Sequence, residues 1–283
     1  MLTSGYPTDL TNAQWEVLCP LLPPAKPGGR PRRWTMRRIL NGIFYVLRGG
    51  IAWRLLPREY PPWSTVYHYF RTWRDAGVWE AIYTALREQM RRRGGRQPTP
   101  SGASSDRPSV KTTERGGVHG DDGAKKLSGR TRHLLVDTTG LVRTVVVHAA
   151  NRQDRVAGKL VLERAKERFP RLTKRWADQG YAGALRTWIV EQLGWAVEIV
   201  QHPRRPRGVW AFPDQEIDWD AILGPRGFRG PLARRWVVER TLAWIGRYRR
   251  MSKDYEYLTA SSEAMVYLTM IRLMVNRLAH SAT

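Results

Sequence analysis

Cysteine is almost missing from this chain: Cys19 stands alone in 283 residues. One thiol forms no internal disulfide and builds no cysteine zinc cluster. A disulfide-stapled scaffold and a zinc finger are therefore excluded, and a reducing compartment is expected. Cys19 itself reads as a small buried side chain. Long apolar runs are missing too, since the longest, Ile39 to Leu47, is interrupted by Asn41 and Gly42 and falls far short of a membrane span. The start, Met1-Leu2-Thr3-Ser4-Gly5-Tyr6-Pro7, has no charged-then-apolar signal pattern, which predicts a cytoplasmic, membrane-free protein. Acidic residues are scarce, with 25 Asp+Glu against 48 Lys+Arg, a formal charge of +23 and a pI near 11.0. Such a field gathers polyanions, nucleic acid first and an anionic membrane surface second. With 42% hydrophobic residues and 13 Trp, the chain can still bury real cores, so the charge does not signal disorder.

What is present divides in two. The spacing Trp15, Leu18, Leu22 predicts a helix capped by Thr11 or Asn12 and ended by Pro20, Pro23 and Pro24. Trp34 to Leu47 places Ile39, Ile43, Val46 and Leu47 on one face, with Arg37 and Arg38 off it, and Gly49-Gly50 stops that helix. After a short turn of helix over 51–56, Ser64 reads as the N-cap of an aromatic-rich helix from Thr65 to Trp73 carrying His68, Arg71 and Arg74. Val78 to Arg91 closes an all-α unit, residues 1–93. Up to Pro100 the chain has 16 Lys+Arg and 6 Asp+Glu. As a helix-turn-helix, this unit would set Thr65, His68 and Arg71 in a major groove while Tyr67, Tyr69, Phe70 and Trp73 pack behind. A Gly, Pro and Arg-rich linker, 94–102, follows.

Over 103–283 the grammar becomes α/β. Strands are expected at Ala103 to Val110, Arg132 to Asp137, Leu141 to Ala149, Leu172 to Ala177 and Ala196 to Val200, with Thr138-Thr139-Gly140 as a hairpin. Helices are expected at Asp154 to Phe169, Ala184 to Leu193, Leu232 to Tyr248 and Ser261 to Leu278, and 202–230 reads as irregular.

A basic protein that acts chemically on DNA usually needs a hard divalent ion, and such an ion wants carboxylate oxygens. Three carboxylates stand out: Asp106 in a candidate strand, Asp178 at the end of another, and Glu239 inside a basic helix with Arg235 one turn earlier. Together they could hold two Mg²⁺ ions. The plainer reading makes Asp106 a loop residue, Asp178 a helix cap and Glu239 a surface partner of Arg235 or Arg240. A rival triad would use Asp137, which shares a strand face with His133; Asp121-Asp122 reads as solvated.

The strings Asp106-Arg107-Pro108-Ser109-Val110-Lys111-Thr112-Thr113-Glu114, Trp176-Ala177-Asp178-Gln179-Gly180-Tyr181-Ala182-Gly183 and Arg234-Arg235-Trp236-Val237-Val238-Glu239-Arg240-Thr241 resemble the three catalytic blocks of bacterial insertion-sequence DDE transposases. Further likeness lies in Arg130 to Thr138, in Ser252-Lys253-Asp254-Tyr255-Glu256 and in Pro61 to Tyr67, so it spans nearly the whole chain. The resemblance implies an RNase H-like catalytic domain behind a helix-turn-helix-like DNA-binding domain, with Asp106, Asp178 and Glu239 as catalytic metal ligands. It further implies Mg²⁺, with Mn²⁺ as substitute, in two sites. The partners would be double-stranded DNA, at the element's terminal inverted repeats and at the target, and at least one further copy of the chain. The localisation would be the bacterial nucleoid. DNA contacts are expected from Arg37, Arg38, Thr65, His68, Arg71, Arg74, Lys111, Arg235, Arg247 and Lys253. Arg107-Pro108 departs from the small or polar residues the family sets after its first aspartate. Around the glutamate, a related pattern's Tyr and Lys slots hold Leu232 and Gly246, with Arg247 adjacent. The alternatives are a non-cleaving DNA-binding repressor derived from such an enzyme, and a metal nuclease of the same fold.

Overall fold

The computed structural model describes residues 5–24, 28, 32–123, 125–152, 154–177, 183–200 and 231–280. Asp178 and the 202–230 stretch fall outside them, as does the side chain of Arg235. The chain opens with helix α1 (Asn12–Leu18), held by a reciprocal cap. Thr11 Oγ1 accepts from the Gln14 N–H at 3.2 Å, and Gln14 Oε1 accepts from the Thr11 N–H at 3.1 Å. A 3-10 turn over Cys19–Leu21 follows, with Pro20 at its start. Cys19 is exposed there, a correction to the expected burial, because the turn ends the helix before Cys19 reaches its packed side. Helix α2 (Met36–Gly49) is capped by Thr35 and ends on Gly50 at φ 71°, in the left-handed region. Helix α3 (Trp63–Asp75) starts two residues earlier than expected, on the Pro62 carbonyl, so Ser64 lies inside it and not at its cap. Helix α4 (Val78–Arg93) completes the helical segment.

The sheet contains β1 (Gly102–Asp106), β2 (Ser109–Lys111), β3 (Gly120–Asp122), β4 (Leu127–Asp137), β5 (Val142–Ala149), β6 (Lys174–Ala177) and β7 (Ala196–Ile199). Its main path runs β5-β4-β1-β6-β7. Strand β4 is antiparallel to both β5 and β1, whereas β1, β6 and β7 run parallel. Helix α5 (Asp154–Arg168) supplies the crossover from β5 to β6, and α6 (Ala184–Trp188), extended by a π turn over Ile189–Leu193, links β6 to β7. Helices α7 (Pro231–Gly246) and α8 (Thr259–His280) end the chain.

The single strand expected over 103–110 is two strands, because Pro108 has no N–H to give. The register survives the break: Asp106 faces Leu134 and Ser109 faces Thr131, three residues apart on both sides, and the Pro108 carbonyl accepts from the Arg132 N–H at 2.9 Å. Asp121-Asp122 belong to β3 on the edge of β4; Asp121 is exposed as expected, whereas Asp122 is half-buried and accepts from the Ser109 hydroxyl at 2.8 Å.

Two apolar cores flank the sheet. On one face Leu135, Val146 and Ala103 pack against α5, α6 and Trp195. On the other, Leu134, Val136, Val142 and Val145 join Val237 and Val238 of α7, the length of α8 and the buried sides of α1 to α4. The core therefore crosses the 94–102 connection: Met265, Leu268, Ile271 and Met274 of α8 form one cluster with Leu18, Phe44, Phe70 and Leu86.

Asp137 ends β4 with no exposed surface. Its Oδ1 accepts from the N–H groups of Thr139 at 2.8 Å and Leu141 at 3.2 Å, shaping the hairpin, and its Oδ2 pairs with Arg91 at 2.7 Å and lies 3.9 Å from Arg143. It thus clamps α4 onto the sheet. Asp137→Asn would leave two buried guanidiniums short of their counter-charge, and we expect it to lose about 3 kcal/mol or more of unfolding free energy by denaturant titration.

His133, also on β4, is 1% exposed; its ring packs on His148 at 5.0 Å, and neither of its nitrogens finds a hydrogen-bond partner among the described residues. Burial, with His148, Arg107, Arg175 and Lys125 around it, pushes its pKa from 6.5 down to about 3. The unfolded state then binds more protons than the folded one between these values. The stability held above pH 6.5 should drain away as pH falls towards 3. In His133→Phe, measured by denaturant titration from pH 8 to pH 4, this part of the acid loss should shrink; an unchanged pH profile would remove His133 from the account.

Candidate active site

Asp106 is the last residue of the central strand β1, half-buried, and its Oδ1 accepts from the Arg107 N–H at 2.8 Å. On one side β1 pairs with β4; on the other it runs parallel to β6, in register Ser104 with Trp176. Strand β6 ends at Ala177, the residue before Asp178 in sequence. Parallel neighbours end on the same edge of a sheet, so the chain leaves β6 on the edge where β1 delivers Asp106.

Glu239 is half-buried on α7, directly after Val237 and Val238, which enter the core beside Leu134. Leu134 is the cross-strand partner of Asp106, so cross-strand pairing sets Asp106 on the sheet face that α7 covers. Side chains of α7 reach the β4–β5 turn at two points. The Thr241 hydroxyl donates to the Gly140 carbonyl at 2.7 Å, and Arg240 donates to the Thr139 carbonyl at 3.0 Å. Gly140 sits at φ 86°, and a Cβ there would come within 2.9 Å of the Thr241 hydroxyl and 3.0 Å of Trp244. Only glycine permits this approach. Arg240 is itself held between Trp236 and Trp244, 5.0 and 4.9 Å from the ring centres.

The two carboxylates described here offer only oxygen donors, the chemistry that suits a hard divalent ion. Among the described residues, no group of three or more His, Cys, Asp and Glu is placed to hold a metal. The third expected ligand, Asp178, lies outside them.

The cations expected to touch DNA occupy two kinds of place. His68 and Arg71 are exposed on α3 beside half-buried Thr65, and Lys111, Arg247 and Lys253 are exposed as well. Three others make contacts inside the chain. Arg37 donates to Asn12 at 2.8 Å and to the Leu10 carbonyl, Arg38 donates to the Glu59 carbonyl and lies over Trp34, and Arg74 bridges Asp75 and the Ser261 hydroxyl, the latter at 2.6 Å.

Two arginines that sequence reasoning did not single out carry the architecture near the site. Arg130 has no exposed surface and donates to the carbonyls of Val118, Glu256 and Tyr257 at 2.7–2.8 Å and to Asp254 at 3.2 Å. Arg132 donates to the carbonyls of Met251 and Lys253, at 2.8 and 3.1 Å. They fasten the 251–257 loop to β4 and present Lys253 outward. The signal was available in the resemblance: the stretches 130–138 and 252–256, far apart in sequence, are partners in space.

Residues 10–83 match the family described as "Putative transposase of IS4/5 family", and residues 97–274 match "Transposase DDE domain". One relative, the "Insertion element IS402 uncharacterized 16.2 kDa protein" of Burkholderia cepacia, is 39% identical over 83 residues, which cover 27% of this chain and 56% of that protein. The chain thus spans a little over half the length of this curated relative. No helix among the described residues is long and apolar enough to cross a membrane. With a helical segment leading into a mixed sheet of RNase H-like order, and with the DDE domain covering most of its length, the chain belongs to the DDE transposases of insertion sequences.

Proposed function

We propose that this chain cuts DNA at the terminal inverted repeats of its own element and joins the freed 3′-hydroxyls to target DNA, with Asp106, Asp178 and Glu239 as the metal-holding carboxylates. One observation carries the reading. The parallel pair β1 and β6 ends on one edge of the sheet, with Asp106 last in β1 and Ala177, the residue before Asp178 in sequence, last in β6, and Asp106 lies on the face covered by the helix that bears Glu239. The ions would be Mg²⁺, two of them, with Mn²⁺ as substitute. When bound, such ions activate a water or hydroxyl and stabilise the leaving oxygen of a phosphodiester.

The chain's own residues then have distinct tasks. Asp106 supplies anionic oxygens from a strand end, a stiff support, Asp178 is assigned the same task from its place in the sequence, and Glu239 supplies one from a helix that Thr241 and Arg240 hold against the hairpin. Helix α3 offers His68 and Arg71, with Thr65 beside them, to the edges and phosphates of the element end. Lys111, Lys253 and Arg247 are exposed cations suited to the backbone, and Arg235 is assigned the same task from its place in the sequence. Two ends must be handled together, so at least a dimer acts on DNA. The register kept through Arg107-Pro108 favours a working first ligand over a disabled, merely DNA-binding descendant.

Asp106→Asn, Asp178→Asn and Glu239→Gln keep size and hydrogen bonding but remove the charge that holds a cation. Each is expected to lower cleavage and joining together by about a thousandfold, while DNA binding survives in a gel-shift assay. Calcium should permit assembly but suppress cutting, and excess EDTA should abolish it. Cleavage that persists in EDTA, or three variants as active as the parent, would refute the assignment.

A further inference from the structure

A cavity of about 300 Å³ lies where the helical segment meets the end of α7, with Arg48, Arg247, Arg272, Trp244, Tyr248 and Asn276 among its walls. Three separate elements bring the arginines: the last turn of α2, the residue after α7, and the middle of α8. Among the described residues, no Asp or Glu lines the cavity. Converging like charges repel one another; the Asp9 carboxylate offsets part of this at Arg272, and an anion among Arg48, Arg247 and Arg272 would relieve the rest.

The aromatic rings decide which anion fits. Arg48 lies 5.4 Å over Tyr248, Arg272 lies 5.3 Å over Phe44, and Arg240 lies 4.9 Å over Trp244. These ring faces already carry a guanidinium, which leaves a nucleobase no obvious platform to stack on. A guanidinium over a ring, however, still has N–H donors to give, in the fork that matches phosphate oxygens. The known uses of these groups do not exhaust them. Arg48 donates to the Arg247 carbonyl at 2.5 Å, which ties the two together, and Arg272 donates to Gln14 at 2.8 Å and to the Asp9 carbonyl at 3.4 Å. Both Arg48 and Arg247 are exposed to an incoming ligand.

We propose that this cleft seats one phosphodiester of the DNA backbone, gripped by Arg48 and Arg247 with Arg272 behind them. It is a contact separate from the carboxylates, since Gly246, where α7 ends, lies about 10 Å along the helix axis from Glu239. The cleft joins the helical segment to the helix bearing Glu239, so DNA held there spans both. This rests on the reading that the chain acts on DNA.

The test uses the full chain and a duplex carrying an element end, with binding measured by fluorescence anisotropy over a range of salt. Arg48→Gln and Arg247→Gln should each weaken binding about tenfold and flatten the salt dependence by about 0.9 in log–log slope. Both act on one phosphate, so the double variant should lose clearly less than the product of the single losses. Arg48→Lys should recover part of the affinity, and Arg186→Gln, an exposed cation on α6, should change little. Melting temperatures equal to the parent's would exclude unfolding as the cause. Losses that multiply, or an equal loss in Arg186→Gln, would mean diffuse surface charge and overturn the proposal. Inorganic phosphate that stabilises the parent at submillimolar levels but not the variants, with duplex binding unchanged, would assign the cleft to free phosphate and overturn the backbone assignment. A parent that binds no duplex would refute the DNA-acting reading as well, whereas a binding parent with unchanged variants would refute only the cleft.

Discussion

Strand β1 has an antiparallel neighbour on one side and a parallel one on the other, and this placement decides which strand ends share an edge of the sheet. A parallel neighbour cannot be reached by a hairpin, so the chain must cross over through α5 and return along the same direction. That return brings β6 out on the edge where Asp106 stands. The antiparallel side does different work: the β4–β5 hairpin, shaped by Asp137 and Gly140, gives α7 a surface to lock against. Without a glycine at 140 the helix bearing Glu239 would have to stand further from the sheet.

The charge of the protein needs a similar division of labour. A formal +23 suggests a surface built for DNA, yet many of the arginines are used inside the fold. Arg130 and Arg132 hold a loop by its carbonyls, Arg91 closes on Asp137, Arg250 pairs with Glu256 at 2.7 Å, and Arg143 lies buried 3.9 Å over Phe169. Burial holds Arg143 at about 9, below the ordinary guanidinium range. Guanidiniums suit this work because their planar forks bind several carbonyls at once and tolerate stacking on rings. Net charge therefore overstates the cations that face solvent, and Arg37, Arg38 and Arg74 show how a helix-borne arginine that reads as a DNA contact can serve as an internal tie.

Much of this was legible in the sequence, and the limits have physical causes. Apolar spacing located every long helix within a few residues, and β-rich runs located the main strands, because both signals are local. The cap at Thr11 and the stop at Gly50 were legible for the same reason. The Pro108 break was missed as a strand boundary because hydrophobicity does not register a missing N–H. Strand β3 was missed because Gly120-Asp121-Asp122 has no strand propensity and forms only by pairing with β4. The exposure of Cys19 and the integration of α8 with α1 to α4 are long-range packing outcomes, which composition and spacing do not encode. At the site, the carboxylates stood out by residue type and by likeness, whereas Gly140, Thr241, Arg130 and Arg132 became visible only once distant segments met.

As proposed, the end of β1, the chain after β6 and the middle of α7 converge on the divalent cations. Iron-mediated cleavage of the polypeptide tests it directly: Fe²⁺ replaces Mg²⁺, ascorbate and peroxide generate hydroxyl radicals at the ion, and the cut positions are mapped by mass spectrometry. Cuts are expected in all three segments, near Asp106, Asp178 and Glu239, all suppressed by excess Mg²⁺. Cuts confined to one segment, or cuts that Mg²⁺ leaves unchanged, would contradict it.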